Sequence, residues 1–106
     1  MERDVNRNVG ASVGVTVAGS TSDSGPWSYQ FSSPTAITMD IFGYLYILDY
    51  GNARVQKWLP GASYGTTVVA ASMSGPVGMR FDRSSNLIIA DTSYHRMLSF
   101  AMTCRK

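Results

Sequence analysis

Shifted against itself by 42 residues, the chain lays residues 32–58 over residues 74–100 without a gap. Pro34 falls on Pro76, Asp40 on Asp82, Asp49 on Asp91 and Arg54 on Arg96. Leu45 and Ile47 fall on Leu87 and Ile89, and Ile37, Met39, Val55 and Trp58 meet Met79, Phe81, Met97 and Phe100. A second register, at 51 residues, lays residues 10–17 over residues 61–68 with six of eight positions identical. The registers differ by nine residues, so the stretch after Val17 carries a nine-residue insertion before Pro34. A duplication of this kind constrains the fold more than any other feature. Repeats of roughly 20–50 residues are supersecondary units that bury their apolar faces by stacking on neighbours.

Each unit reads as short strands separated by turns. Residues 36–40 and 78–82 alternate apolar with polar side chains at a period of two, as do residues 53–58 and 95–100. Residues 44–48 and 87–90 are nearly continuous apolar runs, the pattern of a strand covered on both faces. Residues 66–70 and 13–18 are short and β-branched. Phe42-Gly43, Tyr50-Gly51-Asn52, Pro60-Gly61, Gly75-Pro76 and Ser84-Ser85-Asn86 supply the turns. No helical stripe competes, so the chain is all-β. Four short strands in each unit point to a propeller blade rather than a sandwich.

Composition removes several classes. With 44% hydrophobic and 15% charged residues, the chain can offset its ordering entropy by burial, which excludes disorder. No apolar run approaches the roughly 18 residues of a transmembrane helix. The opening residues, Met1 to Asp4, lack the apolar core of a signal peptide, so a soluble product is expected and its compartment stays open. A single cysteine, Cys104, excludes an intrachain disulfide framework and a cysteine-based zinc cluster. Nine Lys and Arg against seven Asp and Glu leave a small positive excess, carried by Arg3, Arg7, Arg105 and Lys106 at the ends. The balanced body does not offer the basic face that a nucleic-acid binder uses.

Pro34-x-x-Ile37-x-Met39-Asp40, followed by Gly43-Tyr-Leu-Tyr-Ile-Leu-Asp-Tyr-Gly-Asn-Ala-Arg-Val-Gln-Lys-Trp58, resembles the NHL repeat. The resemblance covers residues 32–100, and Gly14-Val-Thr-Val-Ala-Gly19 resembles the outer strand of that family. It implies antiparallel four-stranded blades of a β-propeller, about two blades in this chain. The second unit departs in one place: Asp91-Thr-Ser-Tyr-His-Arg96 has no glycine, which predicts a looser turn. Three segments follow: residues 1–31 with a displaced outer strand and the inserted loop, 32–71 as a complete blade, and 72–106 as a three-stranded blade with a tail. The hypothesis from this strand arithmetic is a homo-oligomer, three chains closing a six-bladed ring, with residues 13–18 completing a neighbour's sheet. A monomeric mass with cooperative folding would sink it. The alternative is a piece of a longer propeller.

Several motifs admit a functional and a structural reading. Residues 10–14 and 61–65 both fit Gly-x-Ser-x-Gly, but a nucleophile elbow needs a helix after it and a histidine near it. Each copy precedes a β-branched run, so a turn is the better account. The recurring pairs Asp49–Arg54 and Asp91–Arg96 read as a turn device rather than a charged ring. Asp40 and Asp82 end the first strand of each unit and read the same way, with Pro34 and Pro76 opening those strands. His95 stands alone, short of the three protein ligands of a zinc site, so neither metal nor cofactor is expected.

Ligand chemistry is expected where the units differ. The unmatched positions are Tyr94 and His95, Arg80 and Arg83, and the Ser-rich insertion with Trp27, Tyr29 and Phe31. Trp27, Tyr29, Tyr50, Tyr94 and His95 are expected to gather on one rim, where aromatic rings would meet a protein, peptide or glycan. The resulting expectation is a non-catalytic binding scaffold. The alternatives are a fragment of a lyase- or hydrolase-like propeller enzyme with catalytic residues elsewhere, or RNA recognition through Arg80, Arg83, Arg96 and Tyr94.

Overall fold

The computed structural model describes residues 14–20 and 23–102. The first Gly-x-Ser-x-Gly copy, Val13, Cys104 and the terminal basic residues lie outside the described residues or at their margin. Among the described residues seven strands follow in order: β1 (Pro34–Met39), β2 (Leu45–Asp49), β3 (Arg54–Trp58), β4 (Thr66–Ala70), β5 (Pro76–Phe81), β6 (Asn86–Asp91) and β7 (Arg96–Ala101). They form two antiparallel meanders, β1-β2-β3-β4 and β5-β6-β7. No α-helix occurs among the described residues, and none of their helices is long and apolar enough to cross a membrane. The chain is all-β, and each of these strands lies where the alternation predicts it.

The registers repeat as the sequence does. Pro34 pairs with Asp49 and Pro76 with Asp91, while Ile37 faces Ile47 and Met79 faces Ile89. Each first strand has an irregularity directly after its proline, which has no N–H to give to a ladder. Side-chain alternation then sorts each sheet into two faces. The first sheet presents Ala36, Tyr46, Leu48, Val55 and Val69, and the second lays Met79, Phe81, Leu87, Ile89 and Leu98 on them. Tyr46 meets the edge of Phe81 with ring centroids 4.8 Å apart, and Met73 joins the same core. The Thr35 hydroxyl donates to the Pro76 carbonyl at 3.1 Å, so β1 and β5 run side by side. Leu48, Leu87 and Ile89 are fully buried, each worth about 1.5–3 kcal/mol against exposure. That stabilisation exists only while the sheets stay together.

The opposite face of the first sheet is covered toward its outer side. Phe31 lies on Trp58 with centroids 5.6 Å apart, and the Trp58 indole N–H donates to the Ala62 carbonyl at 3.0 Å. Gln56 is buried beside them and accepts the Thr67 hydroxyl. Ile37 and Met39, on the same face, stay open.

Two expectations change. Residues 14–18 form no strand, and Val15 and Val17 are exposed. A strand exists only against another edge, and neither sheet of the same chain pairs with this segment. The glycine-free turn after Asp91 is not looser than its counterpart. The two turns enter at φ/ψ of −94°/79° and −93°/78°, and leave through left-handed Ala53 (51°/49°) and His95 (54°/43°).

Candidate functional site

Between the second and third strands each unit makes a short 3-10 turn, Tyr50–Asn52 or Thr92–Tyr94, preceded by a fully buried aspartate. Asp49 Oδ1 accepts the Ser32 backbone N–H at 2.7 Å, and Oδ2 accepts Arg54 Nε at 2.9 Å and Asn52 Nδ2 at 2.7 Å. Asp91 repeats the clasp, with the Ser74 N–H at 2.7 Å and Arg96 Nε at 2.8 Å. Each aspartate ties the segment entering a sheet to the corner of that sheet. Its oxygens are spent on architecture, as the recurrence suggests. The arginines differ in one respect. Arg54 also donates to the carbonyls of Pro26 (3.0 Å), Trp27 (3.1 Å) and Gln30 (2.7 Å), pinning the inserted loop. Arg96 has no such loop, and its guanidinium lies 4.9 Å from the Tyr94 ring centroid.

Trp27, Tyr29, Tyr50, Tyr94 and His95 all lie at this clasp end of the sheets, and all are exposed. No described cavity gathers them. A shallow hollow of about 300 Å³ takes His95 with Ala90, Thr92, Arg96 and Met97, and none of the other four. Among the described residues no three of His, Cys, Asp or Glu stand together as metal ligands.

The larger cleft, about 620 Å³, opens at the opposite end, between the β1–β2 and β5–β6 turns. Phe42, Tyr44, Tyr46, Phe81 and Met102 give it apolar walls, and Lys57, Asp40, Asp82 and Arg83 bring charge. Each carboxylate accepts three hydrogen bonds from its own turn and the strand that follows. Asp40 Oδ1 accepts the N–H groups of Phe42 (2.9 Å) and Tyr44 (3.0 Å), and Oδ2 accepts the Tyr46 hydroxyl at 3.0 Å. Asp82 Oδ1 accepts the N–H groups of Ser84 and Asn86, both at 2.8 Å, and Oδ2 accepts Asn86 Nδ2 at 3.1 Å.

The cations are not matched in this way. Lys57 Nζ lies 4.7 Å from the Tyr44 ring centroid and 5.8 Å from that of Tyr46. Among the described residues, the ion pairs are those of the two clasps, so neither Lys57 nor Arg83 holds a carboxylate. A half-buried ammonium on aromatic faces, in ion-pair contact with no described carboxylate, offers a hydrogen-bond donor to an anionic group attached to a flat or apolar body, against the charge of Asp40 and Asp82 in the same cleft.

Sequence reasoning aimed at the other end and missed this cleft. The signal was present in the repeat: Phe42 aligns with Ser84, Tyr44 with Asn86, Tyr46 with Ile88 and Lys57 with Ser99. Phe42, Tyr44, Tyr46 and Lys57 thus have no counterpart of their kind in the second unit, which adds Phe81 and Arg83 to the lining.

Asp82 is held below the ordinary carboxylate range, first by the Asn86 backbone N–H, then by the Asn86 side-chain amide and, least, by the Ser84 N–H; burial acts the other way. A depressed folded-state pKa stabilises the fold above the unfolded-state value, and the contribution is lost as pH falls through the folded one. Carbon-detected NMR titration is expected to find Asp82 ionised below the ordinary aspartate pKa, and Asn86→Ala to raise its titration point. An unchanged titration point in Asn86→Ala would contradict the assignment.

Compared with known proteins, the chain matches no protein-family model and no curated protein.

Proposed function

We propose that the chain is a non-catalytic binding scaffold of two NHL-type propeller blades, whose cleft takes a peptide carrying an acidic group beside an apolar or aromatic side chain. Three features support the blade reading: meandering sheets, first strands lying side by side, and an aspartate–arginine clasp at the same corner of each unit. The observation that carries the ligand is Lys57, stacked on Tyr44 at 4.7 Å and in ion-pair contact with no described carboxylate, in a cleft whose own carboxylates accept hydrogen bonds from their own segments.

The test is an amide NMR titration with N-acetyl-phenylalanyl-glutamate capped as its C-terminal amide, the glutamine analogue capped in the same way, and chitobiose. Saturable shifts at Phe42, Tyr44 and Lys57 with the acidic peptide alone are expected. Lys57→Met keeps the aliphatic stem and removes the charge. It should weaken binding about tenfold, or ~1.4 kcal/mol, at the low end for a charged hydrogen bond. Shifts confined to Trp27, Tyr29 and Tyr50 would move recognition to the clasp end. Preference for chitobiose would make the ligand a glycan, and no saturable shift with any of them would reject the cleft.

A further inference from the structure

The interface between the two sheets is made once within the chain, yet the repeat supplies its halves twice. The half contributed by the second sheet is the face of Met79 and Phe81, and its copy on the first sheet carries Ile37 and Met39. Met79 is 5% exposed, whereas Ile37 and Met39 are 58% and 56% exposed. The receiving half is the first sheet's face of Ala36, Tyr46, Leu48 and Val55. Its copy on the second sheet is Gly78, Ile88, Ala90 and Met97, with Met97 at 66% exposure. The chain therefore leaves one open half of each kind, that of the first sheet reduced to its inner side by Phe31 on Trp58, and the two correspond position by position to the halves that pack inside the molecule.

A second, separate feature meets at the same place. Among the described residues no strand pairs with the outer backbone edge of β7, where the first sheet carries β4. Residues 14–18, the repeat of β4, form no strand and expose Val15 and Val17. They precede the first sheet as β4 precedes the second. A neighbour laying its Ile37 face on Met97 would thus bring that segment to the free edge of β7. An open edge of this sort is a standing template for another strand.

We propose that a second copy of this chain covers these surfaces head to tail, its Ile37–Met39 face on the first copy's Ile88–Ala90–Met97 face and its residues 14–18 along β7. The contact is heterologous, so successive copies close into a ring if the rotation permits. One bond is lost at the junction between copies: Val77 stands in the repeat position of Thr35 and has no hydroxyl to give to Pro34 of the neighbour. The junction is therefore weaker than the contact inside the chain, and dissociates on dilution. The inference stands on repeat packing and is independent of the cleft's ligand.

The decisive experiment is sedimentation of wild type, Ile37→Glu, Met97→Glu and an equimolar mixture of the two variants, over a wide concentration range. Both residues are exposed, and amide NMR dispersion checks the fold, with Ile37→Thr and Met97→Thr replacing any variant that fails it. Wild type is expected to associate reversibly and each variant to remain monomeric. The mixture should form dimers, because one intact half survives on each variant. Monomeric wild type throughout would overturn the proposal, by leaving the faces to another partner or to further chain. So would loss of association in only one variant, which marks a symmetric contact, or a mixture that stays monomeric.

Discussion

Asp49→Asn is expected to cost about 3–5 kcal/mol of folding stability, the range for breaking one side of a buried ion pair. The change is nearly isosteric, so packing is not the cause. Three donors converge on the Asp49 carboxylate: the Ser32 N–H, Arg54 Nε and Asn52 Nδ2. An amide offers one acceptor and one donor group, so in either orientation a donor faces a donor. Arg54, with its side chain only 11% exposed, would keep its charge without a counter-charge and loosen its hold on the carbonyls of Pro26, Trp27 and Gln30.

Asp91→Asn is the internal control. Arg96 is 46% exposed and can recover water, so the cost there should fall to about 1–3 kcal/mol, the penalty of an unsatisfied buried donor. Urea unfolding of the two variants reads the difference directly. Equal costs would mean that the inserted loop adds nothing to the clasp.

Gly51→Ser is expected to destabilise by about 2–4 kcal/mol, from overpacking of about 1–3 and a lost backbone hydrogen bond of about 1. The Gly51 N–H donates to the Ser32 carbonyl at 2.7 Å, and a Cβ at Gly51 would run into that carbonyl. Backbone cannot rotate out of the way as a side-chain tip can. The second unit carries serine at this very position, Ser93, and tolerates it. The repeat shows why. Where the first unit has Ser33 and Gly51, the second has Gly75 and Ser93, so the residue without Cβ has changed sides.

Ser33 and Gly75 both hold left-handed backbone, at φ of 63° and 73°, and a Cβ on Gly75 would lie 2.5 Å from Ser93 Oγ. Ser93→Gly should therefore cost only about 0.5–1 kcal/mol, the added chain entropy of glycine. Gly75→Ser should be milder in that background than alone, with a coupling of about 0.5–3 kcal/mol in a double-mutant cycle. Additive costs would show that the two positions do not share space.

The missing glycine led sequence reasoning to expect a looser turn because one position was read without its partner. Gly75 lies 18 residues before Ser93, and only the folded corner brings them together. The cleft was hidden for a related reason. Phe42 and Tyr44 leave the β1–β2 turn, Lys57 comes from β3, and Phe81 and Met102 come from the other sheet. Each is unremarkable in its own segment. Their meeting depends on the register that sets Tyr46 opposite Lys57 and on the packing of one sheet over the other. The aromatic residues at the clasp end were easier to notice, being loud in composition, but exposure on a shared end is not a cavity.

Alternation, turn residues and the 42-residue repeat were enough to place the seven described strands, their all-β class and the pairing of Asp49 with Arg54 and of Asp91 with Arg96, because each depends on local period or on recurrence within the chain. Residues 14–18 read as a strand by the same local rules and form none, since a strand is completed by an edge that lies elsewhere. Which faces are covered, which remain open and where a lysine lies on aromatic rings depend on how one sheet lies on the next. That arrangement is set by distances between segments far apart in the chain, and no local pattern of residues carries it.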